Sequence, residues 1–188
     1  MKASSALFLP LLLSLSNAQV PHWGTCPEPP LQPNFVLKKF LGTWYEVAKL
    51  PAQYEKGRCI ETNLTMNADG TIKVSSSEIR KGQLKTLEGT GIVEDINQPA
   101  KLGISFSFHK VAPYSPYWII STDYDKSALV YSCTDILRVF HVDFAWILGR
   151  TRTLPADTIN KAKDIFTKSN IDVTRMVASK QQGCDKEF

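Results

Sequence analysis

Between Trp44 and Leu148 the chain is a series of short strand-like runs, each cut off by turn-forming residues after about ten positions. The runs are Trp44–Leu50, Cys59–Met66, Thr71–Ile79, Leu84–Val93, Leu102–Phe108, Tyr117–Thr122, Ala128–Thr134 and Phe140–Leu148. The breaks are Pro51, Asn67-Ala68-Asp69-Gly70, Lys81-Gly82, Asn97-Gln98-Pro99, Ala112-Pro113, Asp123–Lys126 and the stretch around Asp135. Regular spacing with turn signals argues an antiparallel sandwich or barrel, and eight runs in series suit an up-and-down barrel. The expected fold is all-β: an eight-stranded antiparallel up-and-down barrel. One later segment has helical period. Pro155 opens it, Asp157 suits its positive end, and Ile159, Ala162, Ile165 and Phe166 fall on one stripe before Asn170. This single C-terminal α-helix needs a surface, and the outside of the barrel supplies one. Residues 19–40, with Pro21, Pro27, Pro29, Pro30 and Pro33, read as an extended arm, not a helix.

The first residues read differently. Lys2, the apolar stretch Ala6–Leu15 and the small residues Ser16-Asn17-Ala18 have the order of a secretory signal peptide, 1–18, cut before Gln19. The stretch is too short to span a bilayer and contains Pro10. Residues 19–188 are then a single secreted, extracellular domain. Secretion gives Cys26, Cys59, Cys133 and Cys184 a meaning: two disulfides, with three pairings open from spacing alone. No zinc-ligand spacing occurs among them, so no metal is expected. Asn63-Leu64-Thr65 becomes a glycosylation acceptor at Asn63, whereas Asn97-Gln98-Pro99 is not one. A net charge of +4 without a basic block leaves no footprint for nucleic acid.

Side chains alternate faces along a strand. A glycan on Asn63 must face solvent, which puts Glu61, Thr65 and Cys59 outside and Ile60, Thr62, Leu64 and Met66 inside. Ile72 and Val74 carry Ser76, Glu78 and Arg80 with them onto the inward row. Leu102, Ile104, Phe106 and Phe108 form an unbroken apolar row. Phe140, Val142, Phe144, Trp146 and Leu148 form another, leaving His141 and Asp143 to place charge outside and Ala145 and Ile147 beneath the helix. Glu78 and Arg80 on an inward row are costly unless paired or wet, and so belong at a strand end by an open mouth. A barrel of this size is filled by its own side chains or holds one small ligand.

Gly42-Thr43-Trp44-Tyr45 resembles the G-x-W signature of the lipocalins. Thr122-Asp123-Tyr124 is similar to the family's second signature, between the sixth and seventh strands, and Arg150 to its third. The resemblance implies that Trp44 plugs the closed end with Arg150 stacked on it. It also implies the disulfides Cys26–Cys133 and Cys59–Cys184. The implied pocket is lined by Leu64, Val74, Ser76, Glu78, Arg80, Phe106, Phe108, Tyr117 and Trp146, to which the alternation adds Phe144; Tyr117 rests on the resemblance alone. Related members carry a further cysteine where this chain has Asp135, so no disulfide-linked partner through position 135 is expected. The loop His109–Ser115, with Lys110 and Val111, departs from those members at the mouth.

The expected function is that of a carrier, without a cofactor, for a small hydrophobic ligand; the resemblance implies a fatty acid such as arachidonic acid or a steroid such as progesterone. A lipoprotein particle or membrane surface contacted through Val111 and Tyr114 on the mouth loops is the alternative. A lipid isomerase would need a free barrel cysteine, and all four cysteines can pair. His141 and Asp143 have no serine to complete a hydrolytic triad, and His22 and His109 read as isolated and solvated.

Overall fold

A computed structural model describes residues 22–52, 57–106 and 113–184. The signal peptide and Phe108, His109, Lys110 and Val111 lie outside the described residues. Ten strands form one sheet: β1 (His22–Trp23), β2 (Gly42–Lys49), β3 (Arg58–Met66), β4 (Ile72–Arg80), β5 (Gln83–Val93), β6 (Lys101–Ser105), β7 (Ser115–Thr122), β8 (Ser127–Ile136), β9 (Phe140–Gly149) and β10 (Val177–Ala178). Neighbours pair antiparallel from β2 through β9, and β9 pairs back onto β2, which closes an eight-stranded barrel. The two-residue strands β1 and β10 extend the pairing of β9 and β2.

Local chemistry fixes the joints. Lys81 and Gly82 both have positive φ, the requirement of the tight turn that joins β4 to β5 and sets Arg80 opposite Gln83. Gly42 sits at φ 94°, with Arg150 Nη1 3.4 Å from where a Cβ would stand. The β8–β9 turn is different: Leu137 and Arg138 take φ values of 53° and 57° with no glycine. Each such residue costs roughly 1–2 kcal/mol.

Two apolar clusters use the two faces of the sheet. Inside, Trp44, Phe40, Leu64, Val74, Leu102, Ile119 and Val130 pack the closed half of the barrel. Outside, Ala145, Ile147, Leu129 and Tyr131 take up Ala162 and Phe166 of helix α2 (Ala156–Lys168). Ile165 lies at the edge of that stripe and is partly exposed. The arm is not wholly extended: Leu37–Phe40 form a one-turn helix, α1, whose Phe40 carbonyl accepts from Trp44 Nε1 at 2.8 Å.

Two covalent links hold the ends. Cys26–Cys133 ties the arm to β8, and Cys59–Cys184 ties the C-terminal segment to β3. β2 pairs with β3 only through Gly42–Tyr45; beyond that point the C-terminal segment fills the gap. Ser179 N donates to Val47 O, Cys59 N donates to Lys180 O, and Gln181 Nε2 bridges Glu46 O and Ile60 O at 3.0 and 2.7 Å. Residues 177–184 are thus a stave of the barrel wall.

Several expectations need correction. Strand β6 ends at Ser105, not Phe108. Met66, at the last position of β3, is 42% exposed instead of inward, because the strand outruns the closed end. His141 and Asp143 are on the outer face as expected, yet they are buried under the arm. His22 is not isolated: its ring stacks on His141 at 5.3 Å, and its Nε2 lies 3.7 Å from Asp143 Oδ1. Tyr131 donates to the other Asp143 oxygen at 3.1 Å, and burial, then that carboxylate, push its phenol pKa far up.

Candidate functional site

The closed end is built first. Arg150 lies 3.7 Å over the Trp44 ring and donates to the carbonyls of Tyr124, Thr43 and Leu41 at 2.8–2.9 Å. Burial lowers its pKa from the ordinary value, with Asp125 opposing; a guanidinium stays charged regardless. The neighbouring turn is held by Asp123 Oδ1, which accepts from the backbone of Lys126 and Ser127, and by Thr122 Oγ1, which donates to Ser127 O. Tyr124 reaches back to the arm by accepting from Val36 N at 3.0 Å. Arg150 and Tyr124 therefore join three separate segments beneath the tryptophan, and that end of the barrel is sealed.

Above the seal lies a cavity of about 750 Å³. That is within the range of small-molecule sites. Trp44 and Leu148 form its floor. One wall is aromatic: Phe144 and Trp146, two apart on β9, stack at 5.7 Å and 5°, and Tyr117 of β7 is 6.2 Å from Trp146. The facing wall is small and mixed, with Val74, Ser76 and Thr62; Thr62 donates to Ser76 Oγ at 3.3 Å. The rim carries Glu78, Lys85, Leu87, Phe106 and Pro113. Phe106 is 39% exposed, an aromatic side chain left half in water at the entrance.

Of the pocket residues expected from sequence, Val74, Ser76, Glu78, Phe106, Tyr117, Phe144 and Trp146 line this cavity. Leu64 does not: it is buried one layer deeper in the packed core with Trp44 and Val74. Arg80 does not either. It is the last residue of β4, exposed, and its Nη1 lies 3.7 Å from Glu78 Oε1. Glu78 Oε2 in turn accepts from Gly57 N at 2.9 Å, so this carboxylate is held against the wall.

Three polar residues escape a reading by alternation. Lys85 and Leu87 face inward because they stand opposite Glu78 and Ser76 across the β4–β5 ladder. Glu46 faces inward opposite Leu148, and a bulge before Ala48 then turns Lys49 the same way, opposite Trp146. The two are an ion pair at 3.0 Å, and Ser179 Oγ donates to Glu46 at 2.6 Å. Two buried charges this close, with further hydrogen bonds, meet the condition under which such a pair is tolerated.

The open end also displays apolar surface. Trp23 is 79% exposed and lies 4.4 Å from the Phe140 ring. Leu137, at the strained tip of the β8–β9 turn, is 88% exposed, with Ile136 and Val139 beside it. All four cysteines are in disulfides. Asp135 Oδ1 accepts from Cys26 N at 2.7 Å.

Comparison with known proteins agrees with this geometry. Residues 41–183 match the model of the lipocalin / cytosolic fatty-acid binding protein family. The chain is 46% identical to apolipoprotein D of Cavia porcellus over 174 residues, 92% of this chain and 91% of that protein. It is 44% identical to apolipoprotein D of Bos taurus over 186 residues, 97% of each. In structure it resembles insecticyanin from the tobacco hornworm Manduca sexta, with a TM-score of 0.77 and 23% identity over 89% of this chain and 92% of that one, a likeness of fold.

Proposed function

The chain belongs to the lipocalin / cytosolic fatty-acid binding protein family, and from that premise we propose that it is a secreted carrier for one small, sparingly soluble ligand, a fatty acid or a steroid. The observation that supports this most is the cavity itself: about 750 Å³ above a sealed floor, with Tyr117, Phe144 and Trp146 along one side. Apolar and aromatic walls favour transfer of a ligand out of water in proportion to the area covered. A ligand of ~20 heavy atoms at roughly 0.3–0.4 kcal/mol each would bind with about micromolar affinity. Ligand release needs only diffusion through the mouth, and no chemistry is asked of the side chains. The thiol route to lipid isomerisation lacks its reagent, because each cysteine is oxidised.

The test is mass spectrometry of organic extracts from the protein purified out of its natural fluid. A stoichiometric lipid or steroid is the expected result, and an empty protein that also fails to take up arachidonic acid or progesterone in titration refutes the reading. The same preparation should begin at Gln19 and carry a glycan on Asn63, whose side chain is exposed on β3.

A second reading rests on the exposed group Trp23, Ile136, Leu137 and Val139 at the open end. Backbone strain retained at Leu137 and Arg138 points to a use for that tip. Contact with a lipoprotein particle or membrane surface would bury it. Density-gradient fractionation should then find the protein floating with lipoproteins, and Trp23→Ser with Leu137→Ser should send it to the lipid-free fractions. Equal distribution of the two forms rejects this contact.

A further inference from the structure

Charge at the mouth is unevenly compensated. Glu78 stands directly across the ladder from Lys85, the arrangement in which opposite charges normally meet. They do not pair here. The Glu78 carboxylate is turned to Gly57 N at 2.9 Å and Arg80 at 3.7 Å. The Lys85 ammonium instead donates to Gln83 Oε1, a neutral acceptor, at 3.0 Å. Deeper in the cavity the other carboxylate, Glu46, is matched by Lys49. On the outside of the same hairpin Lys73 is matched by Glu88 at 2.8 Å. Of the charged side chains that line the cavity, Glu46 and Glu78 are each engaged by a cation, whereas Lys85 meets only the neutral Gln83.

We propose that Lys85 is the head-group receptor of the cavity and selects amphiphiles ending in a carboxylate over neutral ones of the same shape. This deepens the carrier reading and rests on it. The ligand's carboxylate sits at the rim beside Lys85 and the acyl tail runs down between the aromatic wall and Val74 to the Trp44 floor. Lys85 is exposed to water at the rim, so its ammonium stays hydrated when the cavity is empty. An anion arriving there replaces Gln83 as its partner, a charge-assisted hydrogen bond in place of a neutral one. Arg80, the other cation at this end of the strand, is already engaged by Glu78 and does not line the cavity.

The experiment compares oleic acid with its methyl ester by tryptophan-quenching titration at neutral pH and low salt, on the intact disulfide-bonded protein. Lys85→Gln keeps the stem and removes the charge. Its affinity for the acid should fall about fivefold, the size of a partly exposed ion pair, while that for the ester stays put. Lys73→Gln makes the same change in net charge on the outer face and should alter neither. Salt at about 0.5 M should narrow the gap between acid and ester in the parent protein. Unchanged acid affinity in Lys85→Gln, or equal loss for acid and ester, overturns the assignment. Tight binding of the ester with no preference for the acid overturns it too and leaves the carrier standing. Failure of the parent protein to bind either ligand removes the carrier and the selectivity together.

Discussion

Trp146→Ala is expected to weaken ligand binding by roughly thirtyfold, about 2 kcal/mol. The indole presents the largest flat surface of the aromatic wall, stacked on Phe144 at 5.7 Å and within 6.2 Å of Tyr117. Truncation removes that surface and frees the phenylalanine ring to tilt into the space, so the ligand loses contact area twice. Tryptophan fluorescence is itself altered by the change. Affinity is therefore best read by competition against a fluorescent fatty acid, with thermal unfolding followed in parallel. A Kd equal to that of the parent protein removes Trp146 from the site. Trp118→Phe is the matched control: Trp118 packs against the outer cluster, away from the cavity, and its loss should leave binding unaltered.

The two disulfides should separate stability from binding. Cys59→Ser with Cys184→Ser opens a loop of 125 residues, and Cys26→Ser with Cys133→Ser one of 107. Chain entropy predicts a loss of about 4–5 kcal/mol for either. Urea unfolding midpoints should fall by similar amounts. Affinity should not follow. Cys184 anchors the segment that fills the wall between β2 and β3, and Gln181 in that segment bonds the carbonyls of Glu46 and Ile60, whose side chains line the cavity. Losing this link should raise the ligand Kd at least about tenfold under conditions where the protein remains folded. Losing Cys26–Cys133 frees only the stretch of the arm around Cys26, on the outer face, and should leave Kd within about twofold. Equal effects of the two pairs on affinity would show that the C-terminal segment is not part of the container.

The barrel was legible because its apolar rows are clean. Leu102 with Ile104, and Phe144 with Trp146, alternate with the small residues Gly103 and Ala145 and leave one choice of face. The cavity was legible only in part. Along β5 Leu84 and Leu87 are three apart, out of phase with any two-residue period, so the inward turn of Lys85 and Leu87 emerges only from the register with β4. Along β2 the bulge between Glu46 and Ala48 shifts the alternation, and no residue type marks it. Leu64 has the right face and the wrong depth: alternation separates inside from outside but does not tell floor from core. His141 and Asp143 also have the right face. Their burial depends on His22 and Gly24, with His141 Nδ1 3.0 Å from Gly24 O across 117 positions, a distance no local pattern records.

Because residues 177–184 complete the wall against strands laid down more than a hundred positions earlier, the container has a leak until almost the whole polypeptide has left the ribosome. A growing chain can curl its first strands around a greasy molecule but cannot retain it. If the chain carries a ligand as proposed, that ligand is held only once this final staple has closed.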